Sequence, residues 1–267
     1  MLPSMISDWR EELQAPDLPV FVVELSGFCN EYDTHTFLTH CDQKRSHLSQ
    51  ADYHLPALRL SQATSTADLH EVHVIPNHDL DSIHPVSGSI HSAEKVKLGE
   101  RVAMAMLATV YKQDGVVWSG PRPVTVVADP GCSQMRDAKG RHCVVVTFST
   151  MAKSGVDFDD KAHCPTDSAG APLILPVYCN SSHTGAGFEL ELSDGWEPAE
   201  SARAGAAANT VVVSGASAAT RIRYAYSDWP VSAVRNSDGG ALPARVFDLA
   251  VKSGRAETGS GGLSVKY

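Results

Sequence analysis

Val20-Phe21-Val22-Val23-Glu24-Leu25, closed by Ser26-Gly27, is the stretch that decides how the first half of this chain is built. It is a short, nearly continuous apolar run, entered past Pro16 and Pro19 and left at Ser-Gly. Such a run suits a strand buried on both faces, as in a parallel sheet. Upstream, residues 5–14 read as the end of an amphipathic helix that Pro16 and Pro19 stop. Downstream, residues 28–70 are polar and rich in histidine, with a possible helix near 56–63, and residues 70–76 are a second strand candidate. A loop from Asn77 to Ser92 leads into the clearest helix, Ala93 to Lys112. Ser92 is its expected N-cap, Leu98, Val102, Met106 and Val110 its apolar stripe, and Gly115 its left-handed terminator. The alternation predicts Val20–Leu25 and Val72–Ile75 as neighbouring parallel strands with this helix packed on them.

After residue 115 the period changes. Val116–Ser119, Pro123–Ala128, Cys143–Ser149, Leu173–Tyr178, Gly187–Leu192, Thr210–Ser214, Arg221–Tyr226 and Val246–Val251 are short β-type runs separated by Gly, Pro, Asp and Ser. Many short strands with turn signals and no helical period predict a β-sandwich. Val126, Val146, Phe148, Leu190, Val212, Ile222, Tyr224 and Phe247 are its expected inward residues, and 202–208 reads as a loop or one helical turn. The fold class is thus α/β plus all-β, with a partial parallel α/β layer over 1–115, an antiparallel β-sandwich over 116–252 and a flexible Gly/Ser-rich tail over 253–267.

Composition narrows the function. The 267 residues are 43% hydrophobic and 20% charged, enough to bury a core and too apolar for disorder. A net charge of −9 argues against a nucleic-acid partner, because that affinity comes mainly from neutralised phosphates. No run of about 18 apolar residues offers a membrane span, and residues 1–14 show no basic and apolar signal-peptide pattern. The six cysteines have no C-x-x-C spacing, which removes zinc-ribbon and thioredoxin readings and leaves buried thiols or disulfides open. Asn180-Ser181-Ser182 is a formal glycosylation sequon.

Nine of the twelve histidines lie between His35 and His91. His70-x-x-His73 and His35-x4-His40 are weak metal signals without H-E-x-x-H, and no metal or cofactor is expected. The segment 77–91 is richer: it holds His78, His84 and His91 with Asp79 and Asp81, in a loop between a parallel strand and a helix, where α/β folds place ligand chemistry. A serine hydrolase needs an imidazole base whose other nitrogen is held by a carboxylate or carbonyl. Asp81-x-x-His84 has a suitable spacing, although turn and cap residues produce the same string.

The chain resembles the C-terminal part of the sialate O-acetylesterases, in the SGNH (GDSL-like) hydrolase superfamily. Ile6-Ser7-Asp8-Trp9-Arg10 is similar to that family's L-I-x-D-W-R, and Leu18 to Ser26 to its L-P-F-x-F-V-Q-L strand. Ser89-Ile90-His91 with Lys95, Gly99 and Arg101 resembles S/D-I-H-P-x-x-K-x-x-x-G-x-R, and Ser119-Gly120-Pro121 its G-P segment. Gly187-Phe188-Glu189 resembles G-F-E. Arg223-Tyr224-Ala225-Tyr226 with Trp229-Pro230 resembles R-Y-A-W…P, and Ala241 to Ala244 with Phe247 resembles L-P-A-x-P-F. The matches run in order from residue 5 to about 248.

The resemblance implies a sugar O-acetylesterase working by a serine and histidine mechanism on an O-acetylated sugar such as sialic acid, in a secreted or lysosomal setting. It selects His91 as base by distance to Gly120-Pro121. His84 stays an alternative because Pro85 follows it while Ser92 follows His91. Asp81 and Asp79 are the candidate orienting acids. The family's nucleophile and oxyanion donors lie upstream of the D-W-R helix, and no Gly-x-Ser-x-Gly elbow occurs here. The chain therefore reads as a C-terminal fragment, a truncated gene product or a divergent inactive relative, expected to be inactive alone. The competing reading is a non-catalytic β-sandwich binding or interaction module derived from such an esterase. A metal-dependent hydrolase is a third, resting on histidine count.

Overall fold

The structure is a computed structural model that describes residues 1–27, 54–80, 94–129, 142–159, 185–227, 230–238 and 241–253. The chain divides into two compact units, residues 1–119 with 227–230, and residues 120–226 with 231–267. The fold is α/β plus all-β: a parallel strand pair with helices, then antiparallel sheets.

In the first unit, α1 (Leu2–Glu12) precedes β1 (Val20–Val23), α2 (His54–Ser65), β2 (Val72–Ile75) and α3 (Lys95–Thr109). β1 and β2 are parallel with Val20 opposite Val72 and Val23 opposite Ile75, as the apolar runs predict. Arg10, in the D-W-R stretch, donates to Leu18 O from Nε and Nη2 at 3.2 and 2.8 Å and also to His70 O. It thereby ties the end of α1 to the entries of both strands.

α3 differs from its expected form. It starts at Lys95 with Glu94 as N-cap and no side-chain cap bond, so Ser92 is not the cap. It ends at Thr109 with Val110 as C-cap, and Gly115, with φ +76°, lies in the turn beyond. Its buried residues are Arg101 and Ala105, one turn apart on the same face. Leu98, Val102 and Met106 flank that face half-buried, and Val110 is exposed. The stripe is displaced because a buried ion pair, described below, claims the inner face. Val116–Ser119 forms no strand; Trp118 instead packs its ring edge-on to His73 at 5.2 Å.

Among the described residues, the second unit contains two four-stranded antiparallel sheets. One runs β3 (Arg122–Asp129), β4 (His142–Ser149), β9 (Thr210–Gly215), β8 (Ser201–Ala204). The other runs β12 (Phe247–Ala250), β10 (Arg221–Tyr224), β6 (Phe188–Leu192), β7 (Gly195–Pro198). A pair, β5 (Val156–Phe158) and β11 (Val234–Asn236), accompanies them. The core joins Val126, Val144, Val146, Phe148, Val211 and Val213 to Phe188, Leu190, Ile222, Tyr224 and Phe247. Val212 is not among them. It sits opposite Val145, whereas Val211 and Val213 sit opposite the buried Val146 and Val144, so the period of two turns Val212 to the other face. Residues 201–204, of which 202–204 read from sequence as loop or one helical turn, are strand because β8 pairs with β9 along Val211–Ser214.

Cys143 is disulfide-bonded, which removes the free-thiol reading for that residue. The other cysteines, the sequon at Asn180, the run 173–178 and the tail beyond Ser253 lie outside the described residues.

Two of the quoted glycines have physical reasons. A Cβ on Gly120 would overlap the Pro243 carbonyl, and Gly187 has φ +83° with a hypothetical Cβ 2.8 Å from Val231 O. The G-F-E and R-Y-A segments are hydrogen-bonded neighbours, with Glu189 opposite Arg223 and Phe188 opposite Tyr224. Arg223 donates to Glu189 at 2.7 and 3.1 Å, with Trp196 and Tyr226 rings 4.3 and 4.6 Å from its guanidinium carbon.

Candidate functional site

Parallel pairing brings the C-terminal ends of β1 and β2 side by side, and the chemistry of the first unit gathers there. The Glu24 N–H donates to Ile75 O at 2.9 Å, extending the pair by one residue. The next groups are side chains. Glu24 is buried, and its Oε2 accepts from His78 Nδ1 at 2.5 Å and from the Asn77 N–H at 3.2 Å. Asn77 Nδ2 donates to Glu24 O at 3.1 Å. A carboxylate only accepts, so Nδ1 of His78 carries the proton in this contact. Burial alone would push the Glu24 carboxyl up. The charge and hydrogen bond of His78, the Asn77 N–H and the Arg59 charge outweigh it and hold the carboxyl below its ordinary range.

Arg59, on α2, is fully buried and, among the described residues, its guanidinium donates to three carbonyls. Nε donates to Leu25 O at 2.8 Å, Nη2 to Ser26 O at 2.7 Å and Nη1 to Ser227 O at 2.7 Å. It therefore fixes the chain where it leaves β1. Gln62, on the same helix, accepts from the Leu25 N–H and donates to Val23 O.

Beyond β2, Asp79 meets Arg101 of α3 in a two-pronged pair at 2.6 and 2.8 Å, and Arg101 Nη1 also donates to Pro76 O at 2.8 Å. Both side chains are at most 9% exposed. This pairing fastens α3 to the start of the segment that carries the predicted histidines.

Of the sequence-predicted site residues, Asp79 is placed by this pair. Asp81, His84 and His91 lie outside the described residues. The two histidines of His70-x-x-His73 part company: His70 is exposed beside Asp17, while His73 is packed between Phe21 and Trp118 and meets Glu71. Among the described residues, no three metal-ligating side chains stand together.

Sequence reasoning passes over Glu24, Arg59 and the pairing role of His78. A signal exists for the first: Glu24 stands where the quoted strand pattern carries Gln, a charge at the end of an otherwise apolar run. His78 closely follows the second strand, and parallel register makes the two ends neighbours.

No protein-family model matches the chain, and no curated protein does. Among solved structures it is similar to a crystal structure of a carbohydrate acetylesterase from Xanthomonas citri, with a TM-score of 0.61 and 22% identity over 92% of this chain. The chain spans 44% of that protein, less than half its length. At this identity the likeness shows a shared fold.

Proposed function

We propose that this chain is part of a carbohydrate O-acetylesterase-like hydrolase, acting on O-acetyl esters of a sugar, sialic acid being the substrate that the sequence resemblance suggests. Residues 1–115 are the C-terminal portion of an SGNH-like hydrolase layer and supply the histidine base. Residues 116–252 are the sandwich that accompanies it. The single observation that carries this reading is the fold shared with a carbohydrate acetylesterase across nearly the whole chain. The ordered resemblance of residues 5–248 to an acetylesterase family supports it independently.

In this reading His91 takes the proton from a serine nucleophile that these 267 residues do not supply, His84 being the alternative base. Asp81 or Asp79 orients the imidazole. The Asp79–Arg101 pair supports Asp79 less than Asp81, because both Asp79 oxygens already receive guanidinium donors. The serine attacks the acetyl carbonyl, and the protonated imidazole returns the proton to the departing sugar oxygen. Water then cleaves the acetyl-serine by the same exchange. The sandwich reading as a binding module remains the competitor; it predicts sugar binding without turnover under any arrangement.

A chimera tests the proposal. This chain replaces the matching 44% of the Xanthomonas citri esterase. The chain alone is expected to hydrolyse p-nitrophenyl acetate at the background rate and to resist active-serine labels. The folded chimera is expected to turn it over, and His91→Ala to lower kcat by about 10²–10⁴-fold, the worth of a positioned acid–base group. Loss with His84→Ala instead moves the base to His84. A folded chimera without activity, or one indifferent to both substitutions, overturns the reading.

A further inference from the structure

The ends of β1 and β2 also carry polar groups that the proposed mechanism leaves unused. Glu24, Asn77 and His78 bond to one another in a buried cluster. Among the described residues, however, Glu24 Oε1, Asn77 Oδ1 and His78 Nε2 have no partner. Native interiors leave few such atoms, and those that occur commonly face an ordered water or a ligand. Their chemistry says what is missing. Carboxylate and amide oxygens only accept. With Nδ1–H spent on Glu24, Nε2 of the imidazole in its neutral form also accepts. The unfilled set therefore calls for a donor. The Glu24 charge already has the buried Arg59 guanidinium near it, so the donor need not be a cation. The place is also apt, since open α/β sheets take ligands at the carboxyl ends of their strands.

We propose that Glu24, His78 and Asn77 form a buried polar site for a neutral hydroxyl group, with His78 Nε2 as the atom that accepts its hydrogen bond. Glu24 performs for His78 what an orienting carboxylate does for a hydrolase base: it fixes the tautomer and leaves Nε2 open. The hydroxyl can come from water or from a sugar. This site does not use the histidines of residues 81–91 and stands whether or not the esterase reading survives.

Nitrogen NMR of the histidine-labelled full chain at neutral pH tests it, with His78 assigned through its backbone. One arm uses buffer alone and the other an excess of a methyl glycoside. The expected result is protonated Nδ1, a hydrogen-bonded lone pair on Nε2 and a hydroxyl proton within Overhauser reach of the ring. That proton belongs to water if it is seen in both arms, and to the sugar if it appears with a His78 shift only when glycoside is added; both support the site. A proton on Nε2, whether or not Nδ1 also carries one, or a lone pair with no hydroxyl proton near it in either arm, overturns the proposal.

Discussion

Glu24 shows how one residue ties sequence, stability and chemistry together. Its carboxyl is held below the ordinary value of 4.5, so the folded state binds fewer protons than the unfolded state in that range. The stabilisation it contributes is complete above the unfolded value and is lost as pH falls through the lower folded one. Glu24→Gln is therefore expected to reduce stability at pH 7 and to flatten the acid limb below about pH 4.5, measured by urea unfolding across pH. Arg101→Ala is the second residue-scale prediction. It takes the guanidinium away from the buried Asp79 carboxylate and should cost about 3–5 kcal/mol in the same assay. Lysine should not restore the loss, because it lacks the fork that meets both oxygens. Neither pair is legible in the sequence as a pair. Glu24 and His78 are 54 positions apart, and Arg101 reads as one polar residue beside an apolar stripe. Only parallel register and the approach of α3 create these contacts.

At the scale of elements, legibility follows length and apolar content. β1, β2, β4 and β9 are runs rich in Val, with Phe or Ile in three of them, and their positions are readable. β5, β7, β8 and β11 are not. They hold three or four residues, several of them polar or Ala; β7 and β8 are strands because β6 and β9 offer them an edge, and β5 and β11 because they pair with each other. The inward face of β9 cannot be read at Val212, since Val211, Val212 and Val213 are identical side chains and only the register with β4 sets which of them turn inward. The two faces predict different costs. Phe188→Ala, which empties a core site beside Tyr224 and Phe247, should cost about 3–5 kcal/mol. Val212→Ala should cost far less, both by thermal or urea unfolding.

For the whole molecule, the two units differ in how completely they satisfy their own strands. In the second unit β4 has a partner on each side, β3 and β9, and its apolar face lies in a core shared by two sheets. In the first unit the sheet among the described residues is β1 with β2 alone, and Val23 is 38% exposed. A two-stranded sheet is marginal by itself, which agrees with the proposal that residues 1–115 are one portion of a larger hydrolase layer. The fold class is legible because alternation of strand and helix, followed by short strands and turns, survives without any knowledge of partners. The proposed larger layer is read only through resemblance. Hydrogen exchange of the full chain tests this central claim most directly. The amides of Val20–Val23 are expected to exchange faster than those of Val144–Phe148 by on the order of a hundredfold or more, because sub-global opening of the small sheet precedes unfolding of the sandwich. Comparably strong protection of both strands would mean that the first unit is complete in itself, and would contradict the account.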